Sequence, residues 1–145
     1  YTTFVRFAGC NLNCEYCDTK YARRTDSGTE MEIFDVYEAV RAMGCKKVTI
    51  TGGEPLIQPE DFVKLTGILR ANDYQISVET NGSVPLVGID IDSWVVDYKL
   101  PSSGEQEKML WNNIKSLRDS DFVKFVIKDK RDFRYAVAIK QDIKK

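Results

Sequence analysis

Histidine is absent from all 145 residues. With it goes imidazole as general base, nucleophile partner or metal ligand, and with imidazole most hydrolytic machinery. Apolar runs are short, far below the roughly 20 residues a membrane-spanning helix needs, so no membrane segment is expected. An excess of one charge is also missing: 21 Lys and Arg stand against 22 Asp and Glu, a net of -1. In that balance no basic excess argues for direct nucleic-acid binding and no polybasic arm argues for lipid. Cysteines number only 4, and three of them crowd one short loop away from the lone Cys45. Such an arrangement pairs poorly as disulfides, so a reducing, cytoplasmic setting is expected. Catalysis by this chain must come from carboxylates, lysines, thiolates or a bound cofactor.

What is present suits a folded core. Apolar residues make up 43% and charged residues 30%, and the length fits one domain, 1–145. The chain opens on Tyr1 inside a strand-like run and stops in a polar tail, so truncation at both ends is expected. Residues 2–7 (TTFVRF) are β-branched and aromatic, which predicts a strand. Residues 20–30 are charged and irregular. Ile33, Val36, Tyr37 and Val40 recur at helical spacing, and Gly44 sits where that helix would stop. A second strand is predicted over 47–51. The next helix opens on Pro59, Glu60 and Asp61, with Phe62, Leu65, Thr66 and Leu69 facing inward. Strands follow over 75–80, 94–98 (after a Pro/Gly-containing connection) and 122–127. A helix marked by Leu110, Ile114 and Leu117 precedes the last strand. A final helix after Asp129 is expected to turn Phe133, Ala136 and Val137 inward. Alternation of strand and helix implies right-handed units around a mostly parallel sheet. Five strands cannot close an eight-strand barrel, so an α/β fold of the partial, open β/α-barrel kind is predicted, with a sixth strand expected beyond Lys145.

The most distinctive stretch is Cys10, Cys14 and Cys17, spaced C-x3-C-x2-C directly after the first strand. Thiolates suit iron–sulfur clusters, zinc or Cu(I). A four-iron cluster ordinarily takes four cysteines, so three in one loop leave an iron free to bind something else. Ligands of parallel α/β folds gather at the carboxyl ends of strands. There the chain places the cysteine loop, then Thr51, Gly52, Gly53 and Glu54, then Glu79 and Asn81, then Asp97, Tyr98 and Lys99. Gly52 and Gly53 would let a backbone edge approach a ligand, with Glu54 as acceptor for an ammonium; alone, the pair would read as a turn. Blander readings exist elsewhere. Arg6 alone would be an exposed arginine of an alternating strand, and Thr19 alone a turn hydroxyl. Cys45 reads as a small packed side chain, Trp94 and Trp111 as core or cover, and the lysine-rich ending as a solvated helix face.

C-x3-C-x2-C with Tyr16 before the last cysteine, followed by T-G-G-E-P, resembles the radical S-adenosylmethionine enzymes. Within them, FVRFAGCNLNCEYCDTKYA, VTITGGEPLIQ, VETNGS, DYKLP and KFVI resemble the 7-carboxy-7-deazaguanine synthase family of queuosine and archaeosine biosynthesis, over about residues 4–127. The resemblance implies that Cys10, Cys14 and Cys17 carry a 4Fe–4S cluster whose fourth iron binds S-adenosylmethionine. It places Tyr16 and Asp18 along the adenosyl group, and Gly53 with Gly52 and Glu54 at the methionine end. Glu79 and Asn81 read either as residues that close a turn or as ribose contacts, and the resemblance makes Asp97, Tyr98 and Lys99 a further nucleoside-contacting segment, which departs from the frequent Ser-Pro-Lys. Thr19 would ligate Mg²⁺, Arg6 the substrate carboxylate, and Thr51 the pterin. The implied activity is a lyase that converts 6-carboxy-5,6,7,8-tetrahydropterin to 7-carboxy-7-deazaguanine, releasing ammonia and regenerating S-adenosylmethionine. An electron donor such as flavodoxin or ferredoxin and a second copy of the chain are the implied partners. The family's Gln-Gly-Glu-Gly segment and its C-terminal portion have no counterpart in these residues. Two other readings stay open: an activating enzyme for a glycyl-radical protein, which shares the cysteine spacing, and a non-catalytic metal-binding module, such as a zinc site completed by Cys45.

Overall fold

A computed structural model describes residues 1–87 and 90–143. Among them, five strands form one parallel sheet in the order in which they occur in the chain. The strands are β1 (Thr3–Phe7), β2 (Lys47–Gly52), β3 (Gln75–Thr80), β4 (Ser93–Asp97) and β5 (Phe122–Lys124). Helices α1 (Ile33–Ala42), α2 (Pro59–Ala71), α3 (Trp111–Lys115) and α4 (Lys130–Ile143) alternate with them, except between β3 and β4. An open α/β sheet wound in one direction is the architecture expected of a partial barrel. Gly88, in the Pro/Gly-containing connection, lies outside the described residues, as do Ile89 and the last two lysines of the tail.

Strand periodicity divides the sheet into two faces. Val48, Ile50, Ile76, Val78, Trp94 and Val96 alternate onto one face and are buried under the helices. α2 supplies Phe62, Leu65, Thr66 and Leu69, each fully buried, as its spacing predicts. The Thr66 hydroxyl enters this apolar layer because it donates to the Phe62 carbonyl at 2.8 Å. α1 adds Tyr37 and Val40, with Ile33 and Val36 packed against the cluster. Gly44 follows the end of α1 at φ 68°, the left-handed conformation that glycine reaches without a steric penalty.

Several boundaries differ from the sequence reading. α3 spans only five residues; within it Asn113 ties the helix to the preceding connection, its amide donating to the Gly82 and Val84 carbonyls and its Oδ1 accepting the Leu86 N–H. β5 ends at Lys124, short of 127. α4 buries Ala136 as its spacing predicts, but it exposes Phe133 (58%) and Val137 (40%) and turns Asp132 inward instead. The reason is polar. Asp132 accepts the N–H groups of Ser102 and Lys128 at 3.0 and 2.9 Å, and satisfying those donors fixes which side of α4 is buried.

Candidate active site

The face of the sheet turned away from the helices meets the strand ends in one cleft. Because the strands are parallel and in register, residues at matching positions form a row. Arg6 pairs with Thr51, Glu79 with Val95, and Asp97 with Lys124. The Thr51 hydroxyl donates to Glu79 across β2 and β3 at 3.5 Å. Arg6, Thr51, Glu79, Val95, Asp97 and Lys124 all line the cleft. The Arg6 guanidinium stands 5.9 Å from the Tyr21 ring centre, a cation–π contact that steadies it without using its donors.

The cysteine loop covers one end of that row. Cys10, Cys14 and Cys17 all border the cleft and all are free thiols. Arg23 organises the loop from within: its guanidinium donates to Asn13 Oδ1 at 2.5 Å and to the Cys14 carbonyl, and its own carbonyl accepts the Cys10 N–H at 2.9 Å. Cys10 Sγ accepts the Leu12 N–H at 3.5 Å and the Asn81 amide at 3.7 Å. Burial pushes the Cys14 thiol up, aided by the neighbouring Cys10, Glu105 and Cys17 and opposed by Lys99. Burial would raise Cys17 too, but hydrogen bonds from Thr19 and Arg23 outweigh it and the thiol lies below its ordinary range. Cys45 is elsewhere, its thiol donating to the Tyr1 carbonyl at 3.3 Å, at the opposite end of β1. The four-cysteine zinc site therefore does not assemble.

Does this donor set fit a cubane? Among the described residues, no three His, Cys, Asp or Glu side chains converge on a single ion. A cube asks for something different, one thiolate for each of three irons, and three free thiols around one cleft meet that need. The cleft also holds buried polar atoms with no partner among the described residues, the Tyr16 hydroxyl, Arg23 Nε and Asp97 Oδ1. Groups of that kind ask for a polar ligand. Burial and the Asp97 charge raise the Tyr16 phenol, with Lys99 opposing. Lys99 donates to Asp97 Oδ2 at 2.8 Å; burial would pull the ammonium down, but Asp97 prevails and holds it above its usual value. The residues present fit both a cluster and a nucleoside-bearing cofactor.

Most residues singled out in the sequence meet here: Arg6, Cys10, Cys14, Tyr16, Cys17, Asp18, Thr19, Thr51, Gly52, Gly53, Glu79, Asn81, Asp97 and Lys99 line one cleft. Two do not. Glu54 is fully buried behind the wall. Its carboxylate accepts the Leu56 and Asn81 N–H groups at 3.0 and 2.6 Å and the Thr80 hydroxyl at 2.9 Å. Burial pushes this carboxyl up while those donors pull it down. It ties the end of β2 to the end of β3 and has no face left for an ammonium. Tyr98, just past β4, turns away from the cleft to pack against the core with Trp111 and Phe125 at ring-centre distances of 6.3 and 6.1 Å, while Asp97 and Lys99 on either side of it take the cleft side. The diglycine serves the protein first. A Cβ on Gly53 would sit 2.1 Å from the Gly9 carbonyl oxygen, so only glycine lets the two strand-end loops touch. Arg23, Lys124 and Val126 line the cleft and went unforeseen. The KFVI run holds the last two, and strand periodicity from Asp97's partner would have found them.

Residues 4–127 match the family model described as the radical SAM superfamily. The chain is 40% identical over 144 residues to 7-carboxy-7-deazaguanine synthase of Clostridium acetobutylicum, covering 95% of this chain and 65% of that protein. It is 40% identical over 136 residues to the synthase of Methanospirillum hungatei, covering 93% and 56%. It thus spans less than two thirds of the length of either. Its fold is similar to the crystal structure of QueE from Escherichia coli, with a TM-score of 0.74 at 23% identity over 95% of this chain and 68% of that one. With the thiol-lined cleft at the strand ends and a family match across most of its length, the chain belongs to the radical SAM superfamily.

Proposed function

We propose that the chain is the core of a lyase that converts 6-carboxy-5,6,7,8-tetrahydropterin to 7-carboxy-7-deazaguanine with release of ammonia, in 7-deazapurine biosynthesis. Its superfamily implies a 4Fe–4S cluster and S-adenosylmethionine. The observation that carries the reading is that one cleft gathers three free thiols, the diglycine edge and the Arg6 guanidinium. The names of the most similar relatives favour this substrate over a glycyl-radical protein.

Cys10, Cys14 and Cys17 would hold the cluster. Together, cluster and S-adenosylmethionine supply hydrogen-atom abstraction when bound. The backbone at Gly52 and Gly53 would receive the methionine end. Tyr16 and Asp97, with unpartnered oxygens, would take polar groups of the nucleoside, beside Asp18, Glu79 and Asn81. Lys99 keeps Asp97 in place and offsets its charge. Arg6 would clasp the substrate carboxylate with its planar fork, and Thr51, already oriented by Glu79, would meet the pterin. The Thr19 hydroxyl would give Mg²⁺ the hard oxygen ligand it prefers. Small-molecule substrate and a flavodoxin or ferredoxin donor are the partners, with a homodimer as the assembly to test.

Anaerobic reconstitution tests the whole reading. Uptake of about four irons per chain, as a cubane requires, followed by formation of the deazaguanine from the pterin with Mg²⁺, is the expected result. Cleavage of S-adenosylmethionine without that product would sink the substrate assignment. One zinc and no labile sulfide would instead support a binding module.

A further inference from the structure

The loop that carries the thiols does not support itself. On either side of Cys14 its backbone is held by a segment far along the chain. The Asn13 N–H donates to Glu105 Oε1 at 2.7 Å, and the Glu15 N–H donates to the Ser103 carbonyl at 3.1 Å. Glu105 is only 7% exposed and Ser103 fully buried. A bond this short from an N–H to a carboxylate is charge-assisted, roughly twice as strong as a neutral one.

The supporting segment is itself anchored. Ser103 Oγ donates to the Leu100 carbonyl at 2.6 Å and accepts the Glu105 N–H at 3.0 Å. The neighbouring Ser102 N–H donates to the buried Asp132 at the head of α4, at 3.0 Å. The second oxygen of Glu105 meets Lys108 Nζ at 2.7 Å, but that lysine is 55% exposed and solvent screens it. Glu105 therefore brings a fixed negative charge, set on a rigid platform, to the middle of the cysteine loop.

We propose that Glu105 is a positioning residue for the cluster: through Asn13 it holds the loop between Cys10 and Cys14, and its charge lowers the reduction potential of the cluster bound there. The inference rests on the cluster assignment above. Cluster potentials follow net charge and hydrogen bonding around the sulfurs, and groups that orient ligands matter to metal retention almost as much as the ligands. The Asn13 N–H is committed to Glu105 and the Glu15 N–H to the Ser103 carbonyl, while the Leu12 N–H and the Asn81 amide remain on Cys10.

The test compares the reconstituted protein with its Glu105→Ala, Glu105→Gln and Lys108→Ala variants under anaerobic conditions. Iron retained under chelator challenge and the midpoint potential of the cluster, titrated by electron paramagnetic resonance, are the readouts. Glu105→Ala is expected to lose iron about 10-fold faster, the lower end of the range for lost outer-shell partners. Glu105→Gln keeps an acceptor for Asn13, so iron stays and the potential moves positive. Lys108→Ala leaves the Asn13 bond intact and, because solvent already screens that lysine, keeps iron retention and potential close to the parent's. Should circular dichroism show that Glu105→Ala is unfolded, Glu105→Gln decides by the sign of its potential shift. Unchanged iron loss in a folded Glu105→Ala, or a potential unmoved in Glu105→Gln, overturns the proposal. Failure of the parent protein to take up about four irons overturns the cluster assignment instead.

Discussion

Single atoms decide much at this site. At Gly53 a methyl group would land 2.1 Å from one carbonyl oxygen and 2.7 Å from another, both backbone and neither able to yield. Gly53→Ala should cost about 3 kcal/mol, the upper end for overpacking, as a lower denaturant midpoint. Among the described residues Arg6 makes no ion pair, and it faces the cleft. Arg6→Ala should raise KM for a carboxylate-bearing substrate about 10- to 100-fold, the equivalent of one charged hydrogen-bonded contact, with folding unchanged; a KM equal to the parent's would remove Arg6 from substrate binding. Glu54 behaves differently from either. Glu54→Ala strips acceptors from the buried Leu56 and Asn81 N–H groups, and about 3 kcal/mol of stability should go with them. Thr80 loses its partner as well. A change in cofactor affinity without loss of stability would restore Glu54 as a direct ligand.

Elements matter here through their ends. The row from Arg6 to Lys124 exists because five parallel strands are in register, so a residue on the cleft side of one strand meets its counterpart on the next. The α3–β5 corner shows how such an end is held. Asp121 accepts the Trp94 N–H at 2.9 Å and the Arg118 N–H at 2.7 Å. Burial alone would raise its carboxyl, but the Arg118 guanidinium and these donors outweigh it and keep it below the usual carboxylate range. A depressed carboxyl adds stability that is complete above its unfolded value and disappears as pH falls through the folded one. The corner should therefore loosen below about pH 4, near the unfolded value for aspartate. Asp121→Asn should flatten the pH dependence of thermal unfolding in that range; an unaltered acid limb would show that the corner contributes nothing. Helix α4 carries a related lesson: apolar spacing pointed to Phe133 and Val137, yet the buried Asp132 orients the helix.

Taken whole, the molecule sets its apolar core on one side of the sheet and its chemistry on the other. No helix among the described residues is long and apolar enough to cross a membrane. The cysteine loop is tied to Arg23, Asn81, Ser103 and Glu105, groups from widely separated parts of the chain. A ligand that binds only the folded state stabilises it in proportion to its affinity. The iron-loaded protein should melt several degrees above the iron-free one, since about 1 kcal/mol shifts a domain of this size by 2–8 °C. Cys10→Ser should abolish that difference and Cys45→Ser should leave it, because Cys45 lies at the far end of β1. Scanning calorimetry distinguishes the two.

The cysteine loop, the diglycine turn, the order of strands and helices and the inward stripe of α2 were all legible in the chain, because each depends on residues a few positions apart and on backbone periodicity. Glu105 and Arg23 were not. In sequence they are ordinary surface charges, and only folding brings them to the loop or the cleft. The fates of Glu54 and Tyr98 were likewise decided by packing: spacing places a residue at the end of a strand, but which side it turns to depends on the donors and rings that wait there. Local chemistry was written along the chain, whereas partnership between distant side chains arose from tertiary structure, since hydrogen bonds and burial act through space and not along the sequence.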